Sequence, residues 1–442
     1  MKQLRKAIII FCWLFVWAIL SRIIQNKILL AGPVETLQAL GRLVLTGSFW
    51  NACLGTILRI AIGYLAGMLL GILLAAFSAG RSWMEEILAP VITLMKAVPV
   101  ASVVVIFLIW WGSENLAVAI SFFMVLPNFY LNTLEGIRST DQKLLEMAKV
   151  FAMPARNRFF YIYRPALRPF WDSAIKLSVG MSWKAGVAAE VIGLPGKAIG
   201  EQLYLSKIYL ETDKVFAWTL VIILLSQVFE KICLKLWAAF QAWKPGCISA
   251  AYEHKLETKP LILQGVSVSY GEQQVLKDFS ATYEPDKRYV LDSPSGSGKT
   301  TLLRVIAGLT KPDAGTVDTG GQKVAMLFQE DRLCEEYSAL KNVELVAVSR
   351  SAARERLLQL LEEEDIHKPC KELSGGMKRR VALARAFAAG ADILLLDEPY
   401  NGLDEENRKR VAGFIEEYGQ NRVVIMASHI QQEIKGESKS EG

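Results

Sequence analysis

Apolar positions along this chain fall into two regimes. Up to about residue 245 they come in long runs, at roughly 7–29, 51–79, 87–111, 115–137, 170–192 and 215–240. Crossing a hydrocarbon layer of about 30 Å takes about 20 apolar residues in a helix, so the pattern predicts six membrane spans. Beyond residue 260 the runs shorten and the period changes. Residues 261–270 alternate apolar and polar, as a half-buried strand does. A short strand is predicted at 289–292, and another at 393–396, four apolar residues closed by Asp397 and Glu398. Between the regimes, 241–260 loses its hydropathy and carries Pro245-Gly246, the charged run Glu253-His254-Lys255, and Pro260. The expected organisation is an α-helical transmembrane domain over 1–245, a linker over 246–260 and an α/β domain over 261–442.

Composition sharpens this division. Of 442 residues, 52% are hydrophobic, which excludes a disordered chain. Residues 1–250 hold 24 Lys+Arg and 13 Asp+Glu, a net of +11, and residues 251–442 hold 26 and 31, a net of −5; together they make the +6 of the whole chain. All 11 Trp lie in the first 250 residues, as suits a ring that prefers the headgroup interface. The basic excess is expected to face lipid headgroups from cytoplasmic loops and calls for no nucleic acid. Cys12, Cys53, Cys233, Cys247, Cys334 and Cys370 show no CxxC spacing and read as reduced packing residues. His254, His367 and His429 form no metal-spaced cluster.

Charge also orients the spans. Segment 138–168, between the fourth and fifth runs, carries Arg138, Lys143, Lys149, Arg156, Arg158, Arg164 and Arg168 against Asp141 and Glu146. The excess of basic residues places it in the cytoplasm. Six spans then put the N-terminus and everything after Lys244 on that side, in a multi-pass protein of the cell membrane. The first run follows Lys2, Arg5 and Lys6 like a signal peptide, but no small-x-small cleavage site precedes Arg22, so a retained helix is expected. Arg59, Lys96, Lys176, Lys184 and Glu190 fall inside predicted spans, where charge is costly and often functional. Each lines a pathway, snorkels, or belongs to a structural ion pair. Lys184 and Glu190, six residues apart, do not share a helical face.

The basic segment itself carries a pattern. Leu144, Leu145, Ala148 and Phe151 lie near one face of a short amphipathic helix, suited to an apolar groove. The plain alternative is a solvated loop that only sets topology. Leu145-Glu146-Met147-Ala148-Lys149-Val150-Phe151-Ala152, followed by Ile162-Tyr163-Arg164-Pro165, resembles the EAA-x3-G-x9-I-x-LP loop of ABC importer permeases. Met147 stands where that loop has Ala, Ala152 where it has Gly, and Arg164 where it has Leu. The resemblance implies a coupling helix that docks on an ATPase, with Glu146, Ala148, Ala152, Ile162 and Pro165 as coupling residues. Leu94-Met95-Lys96-Ala97-Val98-Pro99 and Trp183-Lys184-Ala185-Gly186-Val187-Ala188-Ala189-Glu190 resemble the taurine, sulfonate and nitrate branch, over about residues 50–240.

The C-terminal part supplies the matching engine. After the strand at 289–292 comes Ser293-Pro294-Ser295-Gly296-Ser297-Gly298-Lys299-Thr300-Thr301, which resembles a P-loop, with Ser293 where the first Gly belongs. Backbone N–H groups and a helix N-terminus cradle phosphates there, Lys299 reaches the β/γ oxygens and Thr300 meets Mg2+. A non-Gly residue at 293 is expected to strain the turn and weaken nucleotide binding. Leu373-Ser374-Gly375-Gly376-Met377 resembles the LSGGQ signature of ATP-binding cassettes. Asp397-Glu398 resembles Walker B, Gly402-Leu403-Asp404 the D-loop, Phe328-Gln329-Glu330 the Q-loop, Ala427-Ser428-His429 the switch histidine, and Tyr270 the adenine-stacking aromatic. The resemblance implies that Asp397 and Gln329 attend Mg2+ and that Glu398 is the general base. It implies that His429 contacts the γ-phosphate, and that Ser374, Gly375, Gly376 and Asp404 complete a site bound by a second copy. Plain strand packing for Tyr270 and a structural role for His429 are the bland alternatives.

These readings converge on ATP-driven transport by half of a homodimer. Import of a small organic anion, such as a sulfonate, taurine or nitrate, would require a separate extracytoplasmic solute-binding protein. Thiamine-precursor pyrimidines or riboflavin are alternative cargoes. An exporter is a further alternative, disfavoured by short cytoplasmic loops and the Glu146…Pro165 pattern; a non-transport assembly is the last. With 13 residues after His429, no regulatory C-terminal domain is expected.

Overall fold

A computed structural model describes residues 2–26, 28–243, 245–248, 259–294, 296–428 and 438–439. The expected roles of Ser295 and His429 therefore fall outside the described residues. Two compact units form: Met1–Ser139 with Ala166–Trp243, and Thr140–Pro165 with Lys244–Gly442. The helices of the first part of the chain are α1 (Lys2–Ile24), α2 (Pro33–Val44), α3 (Gly47–Ala79), α4 (Ser82–Ala97), α5 (Val100–Arg138), α6 (Gln142–Val150), α7 (Ala155–Arg158), α8 (Arg164–Gly193), α9 (Ile199–Ile208) and α10 (Thr212–Ala242).

In the first unit α3, α5 and α10 are long and apolar enough to cross a bilayer, and Phe11–Ile24 is a shorter apolar stretch. Helix α8 is also long, but Asp172, Lys176, Lys184 and Glu190 interrupt it. The exterior is apolar: Ile62, Leu65, Leu69 and Leu73 of α3 are all exposed, the inverse of a water-soluble surface. Helices α3 and α5 pack through a stripe of glycines. A Cβ at Gly63, Gly67 or Gly71 would lie 2.3, 2.9 or 2.8 Å from the carbonyls of Val118, Phe122 and Leu126, so only glycine permits this approach.

The expected single helix over 87–111 is not what forms. Helix α4 stops at Ala97, Val98 is extended (φ −72°, ψ 130°) and α5 starts after Pro99. Proline disfavours the helical region for the residue before it. The expected break between 111 and 115 appears as a kink inside α5, at Gly112 with φ 73° and ψ 177°.

Two in-span charges serve structure within this unit. Glu190 is fully buried; its Oε2 accepts from Thr56 at 2.7 Å and from the Gly200 N–H at 3.2 Å. Arg59 pairs with Glu114 at 2.9 Å and donates to the Gly196 carbonyl at 2.8 Å. Together they fasten the turn after α8, where Leu194 and Lys197 both have positive φ. Lys96, Lys176 and Lys184 are exposed.

The second unit begins with α6 and α7, a π turn at Phe159–Tyr163 and the first residues of α8. It continues as β1 (Leu261–Tyr270), β2 (Gln273–Tyr283), β3 (Arg288–Leu291), α11 (Lys299–Ile306), β4 (Ala314–Asp318), β5 (Val324–Leu327), α12 (Ala339–Glu344), α13 (Arg350–Leu358), α14 (Glu363–Ile366), α15 (Gly375–Ala388), β6 (Ile393–Asp397), α16 (Glu405–Tyr418), β7 (Val423–Ala427) and β8 (Ser438–Lys439). Strands β2-β1-β4 make an antiparallel sheet; β5-β6-β7-β3-β8 make a parallel one. All five residues of β6 and of β7 are buried, which explains why both are apolar up to Asp397 at the end of β6. The core they anchor also takes in Met147, Ala148, Phe151 and Ile162.

Candidate active site and coupling joint

The phosphate-loop residues lie between β3 and α11, a strand-turn-helix order that aims backbone N–H groups at an anion. Gly296 and Gly298 have φ of 86° and 93°, a region open to glycine. At Gly298 a Cβ would also meet Val275 and Leu276 at 3.0 to 3.1 Å. The Ser297 N–H donates to the Pro294 carbonyl at 3.2 Å, tightening the turn. Lys299 donates to the Ser293 carbonyl at 2.7 Å, and Thr301 follows in the first turn of α11. The strain expected at Ser293 is absent, because its φ is not positive; its contribution is a carbonyl, which any residue supplies.

Asp397 ends β6, buried, and its carboxylate is hydrogen-bonded by Thr300. Burial pushes the Asp397 carboxyl up, and neighbouring Glu398 adds to this against the opposing hydrogen bond. Oδ2 of Asp397 is buried without a hydrogen-bond partner. An orphaned carboxylate oxygen beside a hydroxyl is a hard-oxygen donor set that fits Mg2+, which takes few protein ligands and completes its shell with water and phosphate. Among the described residues no cluster of three or more His, Cys, Asp or Glu forms a metal cage.

Glu398 adopts φ 51°, a left-handed conformation that non-glycine residues keep only where surroundings impose it. Its N–H donates to the Ala427 carbonyl at 2.8 Å, and Asn401 donates to its Oε2 at 3.2 Å. Arg379, buried on α15, holds it from the other side. One guanidinium nitrogen donates to the Glu398 carbonyl at 2.8 Å and to that of Asp397. The other donates to the Phe328 carbonyl at 2.6 Å, to the Gln329 carbonyl at 3.3 Å and to Asp331 at 3.1 Å. Arg379 thus joins the Walker B end to the Q-loop, where the Gln329 side chain is exposed. Sequence reasoning missed it, because a basic residue on a helix ordinarily faces water.

The remaining residues expected at the nucleotide occupy exposed or partly exposed edges. Tyr270 is 53% exposed at the end of β1, which does not suit strand packing. Ser374 caps α15, accepting from the Met377 N–H at 3.3 Å. Gly375 opens that helix, and a Cβ on Gly376 would come within 3.3 Å of the Gly402 carbonyl. Asp404 caps α16, accepting from the Asn407 N–H at 2.8 Å, which holds its carboxyl below the usual range.

Helix α6 belongs to the same compact unit. Asp141 caps it, and it buries Met147, Ala148 and Val150, with Phe151 beyond. It ends in a double closure: Met153 N–H to Ala148 O at 2.8 Å and Ala152 N–H to Lys149 O at 3.1 Å. That motif calls for a left-handed residue, usually glycine, at the 152 position, and Ala152 complies with φ 46°. Glu146 is clamped by two arginines. Arg304 engages both its oxygens at 2.6 and 3.0 Å, and Arg332 adds a contact at 2.7 Å. The Arg304 guanidinium, supported by Arg332, holds the Glu146 carboxyl down at about 2. Lys143 pairs with Glu330 at 2.6 Å, and Lys149 donates to the Gly308 carbonyl at 3.0 Å. Ile162 is buried and Pro165 half-buried. Neither arginine was legible beforehand, since each only becomes a partner once Glu146 is near.

Both parts of the chain resemble known proteins. Residues 67–232 match the family of binding-protein-dependent transport system inner membrane components, and residues 276–401 match the ABC transporter family. An aliphatic sulfonates import ATP-binding protein of Rhodococcus jostii is 41% identical over 180 residues, 38% of this chain and 72% of that protein. A taurine import ATP-binding protein of Pseudomonas fluorescens is 37% identical over 34% of this chain and 64% of its own length. A cytochrome c biogenesis ATP-binding export protein of Maricaulis maris is 34% identical, over 39% and 87% respectively. A solved ABC transporter ATP-binding protein from Pyrococcus furiosus aligns at 28% identity and a TM-score of 0.36, covering 39% of this chain and 93% of that one. A permease match and a cassette match, carried on one polypeptide with apolar helices long enough to span a bilayer, leave one conclusion: the chain belongs to the ABC transporters, as a membrane permease fused to its ATP-hydrolysing cassette.

Proposed function

We propose that two copies of this chain form an importer of a small organic anion, in the sulfonate and taurine class, received from a separate extracytoplasmic solute-binding protein. The observation that carries this reading is the clamp of Arg304 and Arg332 on Glu146, at the residue that heads the importer-type loop. The sulfonate and taurine import relatives and the binding-protein-dependent permease match support it.

In this reading ATP lies along the loop from Ser293 to Thr301, its base on Tyr270. Lys299 and the α11 N-terminus neutralise phosphate charge. Asp397, Thr300 and Gln329 would hold Mg2+, which supplies charge neutralisation at the phosphates when bound. Glu398, aimed by Asn401 and Arg379, accepts the proton of the attacking water. His429 steadies the γ-phosphate, and Ser374, Gly375, Gly376 and Asp404 close the site of the partner copy. Arg332 follows Gln329 of the Q-loop by three residues, so a shift at the γ-phosphate reaches Glu146 along a short stretch of chain. The N-terminus and the cassette lie in the cytoplasm.

A tagged Glu398→Gln chain, purified from its host with ATP and Mg2+, tests this. Co-purification of a secreted or lipid-anchored binding protein carrying a small anion is the expected result. Recovery of only the chain itself overturns import.

A further inference from the structure

Residues 245–248 stand at the start of what sequence reading treats as a tether, yet they are held. Asn157 of α7 is 1% exposed. Its Nδ2 donates to the Ile248 carbonyl at 2.8 Å and to the Leu345 carbonyl at 3.1 Å, and its Oδ1 accepts from the Ile248 N–H at 3.1 Å. The Tyr161 hydroxyl donates to the Pro245 carbonyl, and Pro245 is buried. The Tyr161 ring meets Tyr337 edge-on at 4.9 Å, and the Lys341 ammonium stands 5.5 Å from its centre. Tyr337 in turn donates to the Phe160 carbonyl at 3.4 Å. Cys247 packs half-buried against the same core. Burial raises its thiol pKa, with Lys341 and Tyr161 among its neighbours.

Three segments distant in sequence, 157–161, 245–248 and 337–345, therefore meet at one point. An amide that pairs both backbone groups of Ile248 requires that stretch of chain in place. Without it, one amide N–H and the amide oxygen of Asn157 lose their protein partners, while the bond to Leu345 remains. We propose that Pro245–Ile248 is a working part of the coupling joint, gripped by Asn157 and Tyr161, and that it locks the 140–165 segment onto the cassette. A slack tether would supply only proximity; this one supplies a third surface. The proposal rests on the reading of 140–165 as the coupling segment.

The test uses the full chain in lipid nanodiscs. N-ethylmaleimide modification of Cys247 is followed by peptide mass spectrometry, and backbone hydrogen exchange of residues 147–153 is followed in parallel. Asn157→Ala should speed Cys247 modification at least tenfold and exchange at least fivefold. Cys334 and Cys370, buried in the cassette, should stay unmodified and so report that it remains folded. If they too react, Tyr161→Phe replaces it. That variant keeps the ring and loses the hydroxyl that reaches Pro245 and also neighbours Cys247 and Lys341, so it is read by exchange at 147–153, which should speed at least threefold. Rates within twofold of the parent, in a folded variant, overturn the proposal. Glu146→Ala separates the two layers: if it leaves exchange at 147–153 unchanged, the coupling reading has failed; if it speeds exchange and Asn157→Ala does not, only the linker proposal has.

Discussion

Replacing Glu146 by glutamine removes one charge from the joint and almost no volume. The carboxylate meets Arg304 at 2.6 and 3.0 Å and Arg332 at 2.7 Å, and its pKa falls from 4.5 to about 2. One pH unit corresponds to about 1.4 kcal/mol, so the full effect would be about 3 kcal/mol. The side chain keeps 31% of its surface in water, and solvent screening lowers the figure to about 1–2 kcal/mol. Hydrogen exchange at the amides of Phe151 and Met153, which bond back to Met147 and Ala148, reads this directly. In Glu146→Gln they should exchange about 5 to 30 times faster at pH 7. Because the docked carboxylate has the lowered pKa, its contribution is complete above about 4.5 and disappears as pH falls through about 2. The gap between parent and variant should therefore hold from pH 7 to about 4.5 and close below that. Equal exchange rates at pH 7 would refute the clamp, as would a gap that widens on acidification.

Three further substitutions, the last paired with a control, test separate points. Ala152→Gly should slow exchange at the same amides, by about 1 kcal/mol in opening free energy, since φ 46° penalises a Cβ; no gain would show that Ala152 bears no strain. Ser293→Gly should leave ATP affinity within twofold in an equilibrium binding titration, and a tenfold tightening would contradict the unstrained loop. Gly67→Leu should abolish the yield of monodisperse protein after detergent extraction, because its side chain would enter space 2.9 Å from the Phe122 carbonyl. Gly41→Ala, where nothing lies within 4 Å, should extract normally, and equal yields would exclude a close approach of α3 and α5.

Much of the molecule was legible in the chain itself, for local reasons. Helices long enough to span a bilayer show themselves in apolar run length, since lipid leaves the backbone no other partner. Strand β6 was readable because burial on both faces demands an unbroken apolar stretch. The phosphate loop was readable because its conformation needs Gly296 and Gly298 in fixed places. Ala152 was visible as a departure from a pattern, and the positive φ explains why glycine belongs there.

What tertiary structure alone decided are the partnerships. Arg304, Arg332, Arg379 and Asn157 carry no periodic signal. Each is a polar residue whose meaning depends on which distant backbone or carboxylate arrives beside it. The break at Pro99 was written in the chain, yet a continuous apolar run concealed it, because lipid solubility is insensitive to a local turn. Placement of 245–248 in the same compact unit as the cassette was likewise beyond any local reading, whereas the docking of 140–165 was already implied by its motif. Hydrophobic pattern determines which surfaces must be buried; hydrogen-bond and charge complementarity determine against what, and that complementarity exists only in three dimensions.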